Sequence, residues 1–134
     1  MFKFSKTSES RLDGVHLDLV TLVHIALHES KIDFSIAEGL RSAERQHELY
    51  LKGYTELDGY KKKSAHQLGI AVDLVPYVKE KGGALWKLNG NESEWLELGR
   101  AMLRASRKLD IDLEWGITYN LPKGLDYPHF QLKY

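Results

Sequence analysis

An aspartate inside the most β-prone run of the chain constrains this sequence more than any other feature. The run is Ser64-Ala65-His66-Gln67-Leu68-Gly69-Ile70-Ala71-Val72-Asp73-Leu74, a polar loop that turns into an apolar strand. Gly69 divides the halves, and glycine is where backbone turns tightly or approaches another segment closely. Beyond it side chains alternate, so Ile70, Val72 and Leu74 share one face and Ala71, Asp73 and Val75 the other. A carboxylate among small and apolar neighbours is costly to bury unless it is paired or coordinates a metal. His66, just ahead of the turn, is a candidate co-ligand. The same residues are compatible with Asp73 capping a turn or pairing with an arginine, and with His66 as a surface histidine.

At 134 residues the chain suits one domain, 1–134, built on one core. Its charged fraction of 28% is that of an ordinary soluble protein, and no apolar run reaches the length of a membrane span, so no stable membrane association is expected. The opening Met1-Phe2-Lys3-Phe4-Ser5-Lys6 is too short and polar for a secretory signal, which predicts synthesis in the cytoplasm and retention there until something else releases the protein. The absence of cysteine excludes disulfides and thiolate sites; a transition-metal site must use histidine and carboxylate, which suits zinc. A formal net charge of zero argues against a nucleic-acid partner.

Residues 1–16 show no apolar period, with a turn at Asp13-Gly14. Leu19, Leu22, Val23, Ala26 and Leu27 recur at helical spacing and predict a helix from Leu17 to about Ser30. His24 and His28 lie one turn apart on it, without an intervening acid, and read as a solvated face. Ile32 to Glu38 alternates as a half-buried strand. Ser42 can cap a helix from Ala43 to about Lys52, with Gly53 as its stop. Arg41 at that junction can present a fork to a carboxylate or make a structural salt bridge. Lys61-Lys62-Lys63 reads as a solvated loop placed to steer anionic substrates.

Pro76 is expected to end the strand that carries Asp73, and Trp86 to anchor the loop from Lys79 to Gly90. Asn91 and Glu94 resemble a capping box opening a long helix to about Lys108. A strand from Ile111 to Gly116, a loop over 117–125 and a closing strand follow. In the closing strand Phe130 and Leu132 face the core and His129 and Gln131 the other side.

His66, Asp73 and His129 are thus three candidate ligands, with Asp126 a nearby acid. Three protein ligands with one open position is the pattern of catalytic rather than structural zinc. A turn before the last strand can bring Asp126 beside the attacking water as general base, and afterwards as acid to the leaving amine.

At this point Ser64-x-His66-x-x-Gly69-x-Ala71-x-Asp73-Leu74, followed by Trp115-Gly116 and Asp126-x-x-His129-Phe130, resembles the zinc peptidases of the D-alanyl-D-alanine carboxypeptidase (VanY-like) group. Within it the chain is most similar to phage endolysins acting as L-alanyl-D-glutamate endopeptidases. The segments Ser10 to His16, Glu38-Gly39-Leu40-Arg41-Ser42 and His129 to Leu132 share that likeness.

The resemblance implies an α+β fold, a small antiparallel sheet packed by about three helices, of the hedgehog/D-Ala-D-Ala-peptidase type. It implies one zinc ion on His66, Asp73 and His129, Asp126 as catalytic base, and Arg41 stabilising developing negative charge. Ser64 and Trp115 would bind substrate or support the site. The substrate would be the peptidoglycan stem peptide, attacked by a monomer without a separate wall-binding domain. The enzyme would cross from the host cytoplasm to the periplasm and cell wall through a holin-made lesion. The competing expectations are a D-alanyl-D-alanine carboxypeptidase of the same fold and an inactive peptidoglycan-binding module. Two departures stand out: many relatives continue Trp-Gly with a further Gly and Trp where this chain has Ile117-Thr118-Tyr119, and the loop to Asp126 carries no acidic cluster for a second, calcium-type ion.

Overall fold

The computed structural model describes residues 1–118 and 125–133. Tyr119 and most of the loop on which the calcium-site reading rested lie outside them. The order is α1 (Lys6–Arg11), α2 (Leu17–Glu29), β1 (Asp33–Glu38), α3 (Ala43–Leu51), β2 (Ala71–Val78), β3 (Gly83–Ala84), α4 (Glu92–Leu109), β4 (Leu113–Trp115) and β5 (His129–Leu132).

The strands form one antiparallel sheet in the order β1-β2-β5-β4, with β3 hairpinned onto β2. The last strand in sequence is therefore inserted at the sheet's centre. Phe34, Ile36, Val72, Leu74, Phe130 and Leu132 point to one face and are essentially inaccessible. Helix α2 covers that face with the five residues of its apolar stripe, and α4 adds Leu98, Ala101, Met102 and Ala105. The opposite face carries Glu38, Asp73 and His129, set side by side by the pairings Glu38↔Asp73 and Asp73↔His129. Directly opposed residues of an antiparallel pair project to the same side. The register alone thus places two of the expected ligands together.

Ser42 caps α3 through its hydroxyl, which accepts from the Arg45 N–H, and Gly53 follows with φ +80°, both as the sequence predicts. Gly69 has φ +74°, and its carbonyl accepts from the His16 N–H at 2.7 Å. A Cβ there would lie 2.7 Å from the Gly14 carbonyl oxygen, so the loop-to-strand junction needs glycine twice over.

Four expectations fail. Residues 6–11 form a helix, capped by Ser5, where no apolar period exists to announce one. Pro76 does not end β2, which continues to Val78. Its carbonyl accepts from Leu85 N–H, so its nitrogen faces the edge served only by the two-residue β3, where a missing donor breaks no ladder. Asn91 makes no capping bond; its side-chain amide donates to the Lys87 carbonyl instead, and Glu94 pairs with Lys81. Trp86 is not an anchor but 61% exposed, and Leu85 and Trp95 are the buried members of that corner.

Candidate metal centre

The turn from Ser64 to Gly69 presents His66. Ser64 Oγ accepts from the Gln67 N–H, and the Ser64 N–H donates to Gln67 Oε1, which closes the turn on itself. The His66 ring is buried, and its Nδ1 lies 2.9 Å from the Gly39 carbonyl oxygen. A ring nitrogen bonded to a carbonyl carries the proton, so Nε2 presents a lone pair. That Nε2 faces Asp73 Oδ1 at 3.2 Å.

His129 repeats the arrangement from β5. Its Nε2 donates to the Gln131 amide oxygen at 2.8 Å, which leaves Nδ1 facing the same Asp73 Oδ1 at 3.3 Å. Two imidazole lone pairs and a carboxylate oxygen converge on one point, with the ligand atoms all within 4.8 Å of one another. Three acceptors this close need positive charge among them, a proton on an imidazole or a cation in the middle. Both imidazoles are oriented through their other nitrogen, the second-sphere pattern of metal-binding histidine. The donor set, two nitrogens and one carboxylate, fits zinc with a position to spare.

The electrostatics agree. Burial works to raise the Asp73 carboxyl, but bonds from His129 and His66 outweigh it and hold the group well below the usual carboxylate range. Burial works to lower His129, yet Asp73 overcomes it and the net shift is upward. Asp126 moves the other way: burial first, then repulsion by Asp73, raises its carboxyl above the ordinary value.

Asp126 is held by the turn that follows β4. Its N–H donates to the Gly116 carbonyl at 3.1 Å, and its own carbonyl accepts from the His129 N–H at 3.3 Å. Gly116 packs so closely beneath it that a Cβ would lie 2.0 Å from the Asp126 carbonyl oxygen. Trp115 stacks on Phe130 with centroids 5.5 Å apart, and its indole N–H donates to the Tyr127 carbonyl. It is buried against the core, and that bond ties it to the turn that leads from Asp126 to His129. The described peptide bonds, that before Pro128 included, are trans.

Arg41 reaches the site from the β1–α3 junction, where its N–H donates to the His66 carbonyl. Its Nε and Nη2 bond Glu38, its Nη1 donates to Gln46 Oε1 at 2.8 Å, and Nη2 lies 3.8 Å from Asp73 Oδ2. Three of its five N–H groups are hydrogen-bonded to described residues, the other two are not, and Arg41 lines the cleft. Gln46 is fully buried and also donates to the Leu57 carbonyl, tying Arg41 to the 54–57 loop. Glu38, Gln46, Gln131 and Gly116 were not singled out from sequence as site residues. An amide on the inward face of a helix was the only cue to Gln46.

The cleft has a volume of about 620 Å³. His66, Asp73, His129, Asp126, Arg41 and Ser64 all line it, whereas Lys61–Lys63 do not. Its far wall is Tyr54 to Leu57.

Residues 1–130 match the model of the phage L-alanyl-D-glutamate peptidase family. The chain is similar to the L-alanyl-D-glutamate peptidase of Escherichia phage T5, 33% identical over 119 residues, covering 89% of this chain and 82% of that protein. It is also 33% identical over 111 residues to the peptidoglycan L-alanyl-D-glutamate endopeptidase CwlK of Bacillus subtilis strain 168, covering 75% of this chain and 61% of that one. Among solved structures, the Serratia marcescens L-Ala D-Glu endopeptidase ChiX superposes with a TM-score of 0.81 at 36% identity, covering 98% of this chain and 90% of that one. The vancomycin-resistance D,D-pentapeptidase VanY, in complex with Zn(II), does so at 0.59 with 15% identity, covering 88% and 72%, a likeness of fold alone.

Proposed function

The chain belongs to the phage L-alanyl-D-glutamate peptidase family, and from that premise we propose that it hydrolyses the L-alanyl–D-glutamate amide of the peptidoglycan stem peptide with one zinc ion on His66, Asp73 and His129. The observation that carries the site is the convergence of two oriented imidazole lone pairs on one carboxylate oxygen. Zinc held there would supply a Lewis acid and would make a water more acidic. Asp126 takes the water's proton and returns it to the departing D-glutamate nitrogen. The free N–H groups of Arg41 donate to the carbonyl oxygen as it gains charge, and Glu38 and Gln46 hold the guanidinium in place for that task. Ser64 keeps the His66 turn closed.

No helix among the described residues is long and apolar enough to cross a membrane. Synthesis in the host cytoplasm as a monomer, followed by passage to the wall through a holin-made lesion and host lysis, completes the reading. The test compares a synthetic L-Ala-D-Glu-diaminopimelate tripeptide with a peptide ending in D-Ala-D-Ala, using wild type and Asp126→Ala. Cleavage of the first by wild type alone supports the proposal. Cleavage of only the second would make the protein a carboxypeptidase.

A further inference from the structure

Beside the cleft lies a second groove of about 410 Å³, lined by Trp86, Leu88, Trp95, Leu125, Tyr127 and Pro128. The two depressions share a wall. Asp126 lines the cleft, while its neighbours Leu125 and Tyr127 line the groove. Trp86 is 61% exposed and Leu125 53%, although large apolar side chains next to one another at a surface usually mark a binding face. Trp95 forms the floor, its indole N–H spent on the Leu85 carbonyl, and Tyr127 meets it edge to face at 6.2 Å. Among the described residues, no charged side chain lines the groove. The stem peptide beyond the scissile bond carries carboxylates and an amine, and would leave those charges unpaired here. The charged partners lie on the other side of Asp126, at Arg41 and Glu38.

The remaining part of the substrate has the complementary chemistry. One alanine and one lactyl group separate the scissile carbonyl from the sugar, about two residue lengths or ~7 Å. We propose that the groove binds the uncharged N-acetylated pyranose that bears the stem peptide, its C–H face laid on Trp86 and Leu125 and its acetyl methyl against the Trp95–Tyr127 floor. The assignment rests on the peptidase reading above and adds to it a preference for glycan-attached over free peptide.

The test uses the metal-loaded protein and two substrates, the tripeptide alone and the same tripeptide on its disaccharide. Wild type should favour the second in kcat/KM by about ten-fold, through KM, a size suited to one or two aromatic contacts. Trp86→Ala, and separately Leu125→Ser, should erase the preference while leaving turnover of the free tripeptide unchanged. Equal rates on both substrates in wild type, or a Trp86→Ala loss of equal size on both, would overturn the proposal. Saturation-transfer NMR with an N-acetylglucosamine tetramer reads the contact without hydrolysis. Transfer seen in wild type and lost in Trp86→Ala upholds the groove even if neither peptide is cut, and absence of transfer in wild type overturns it. A concentration-dependent dimer abolished by Trp86→Ala would give the face to a second copy instead, and would also overturn it.

Discussion

His66 and His129 each spend their one N–H outside the centre, on Gly39 and Gln131. Removing the ring at either position should therefore abolish zinc binding and activity together, read by metal analysis and tripeptide hydrolysis. Gln131→Leu tests the subtler half of the claim. It keeps all three ligands but frees the His129 tautomer, and should weaken zinc by about 10–100-fold in a competitive chelator titration. Asp126→Asn should retain full zinc and lose about 10²–10⁴ in kcat, the range of a general base. That His66, Asp73 and His129 gather at one point with Asp126 lining the same cleft was legible, because a carboxylate in an apolar strand and a histidine opening the closing strand are local signals. Glu38, Gln46 and Gln131 were not, because their work depends on which chain segments lie opposite them.

Among the elements, α1 escaped sequence reading because six residues are too few to show a helical period. It is latched to α2 by Glu9, whose carboxylate sits 2.7 Å from His24 Nε2, while His24 Nδ1 faces the Val20 carbonyl at 2.8 Å. Two acceptors call for an imidazolium with both N–H groups. Burial opposes that charge, but the Val20 and Glu9 bonds prevail and raise His24 above its ordinary value. A raised histidine stabilises the fold below its unfolded pKa and loses that effect as pH rises through the folded one. Glu9→Gln should thus lower Tm more at pH 6 than at pH 8, by a small amount, since both side chains are over two-fifths exposed. On α4, Gly99 lies under the Trp115 ring, where a Cβ would sit 2.0 Å from a ring carbon. Gly99→Ala gains about 1 kcal/mol of helix propensity but forces Trp115 away. Overpacking of ~1–3 kcal/mol should win, lowering Tm and, through Tyr127, slowing turnover.

For the whole molecule, the longer elements could be read in order, α1 and β3 excepted; the resemblance implied the antiparallel sheet, and the strand order was not legible. Placing β5 between β2 and β4 is a long-range choice, and it is this choice that sets His129 beside Asp73. The centre consequently ties the end of the chain to its middle, and zinc at a hundred times its Kd should raise Tm by on the order of 10 °C over the chelated protein. The most direct measurement is mass spectrometry of the products released from purified Gram-negative peptidoglycan, with and without chelator. Stem peptides beginning at D-glutamate, released only when zinc is present, are the expected result. Release of D-alanine alone, or the same peptides in undiminished yield under chelation, would contradict a zinc-dependent L-alanyl-D-glutamate endopeptidase built on His66, Asp73 and His129.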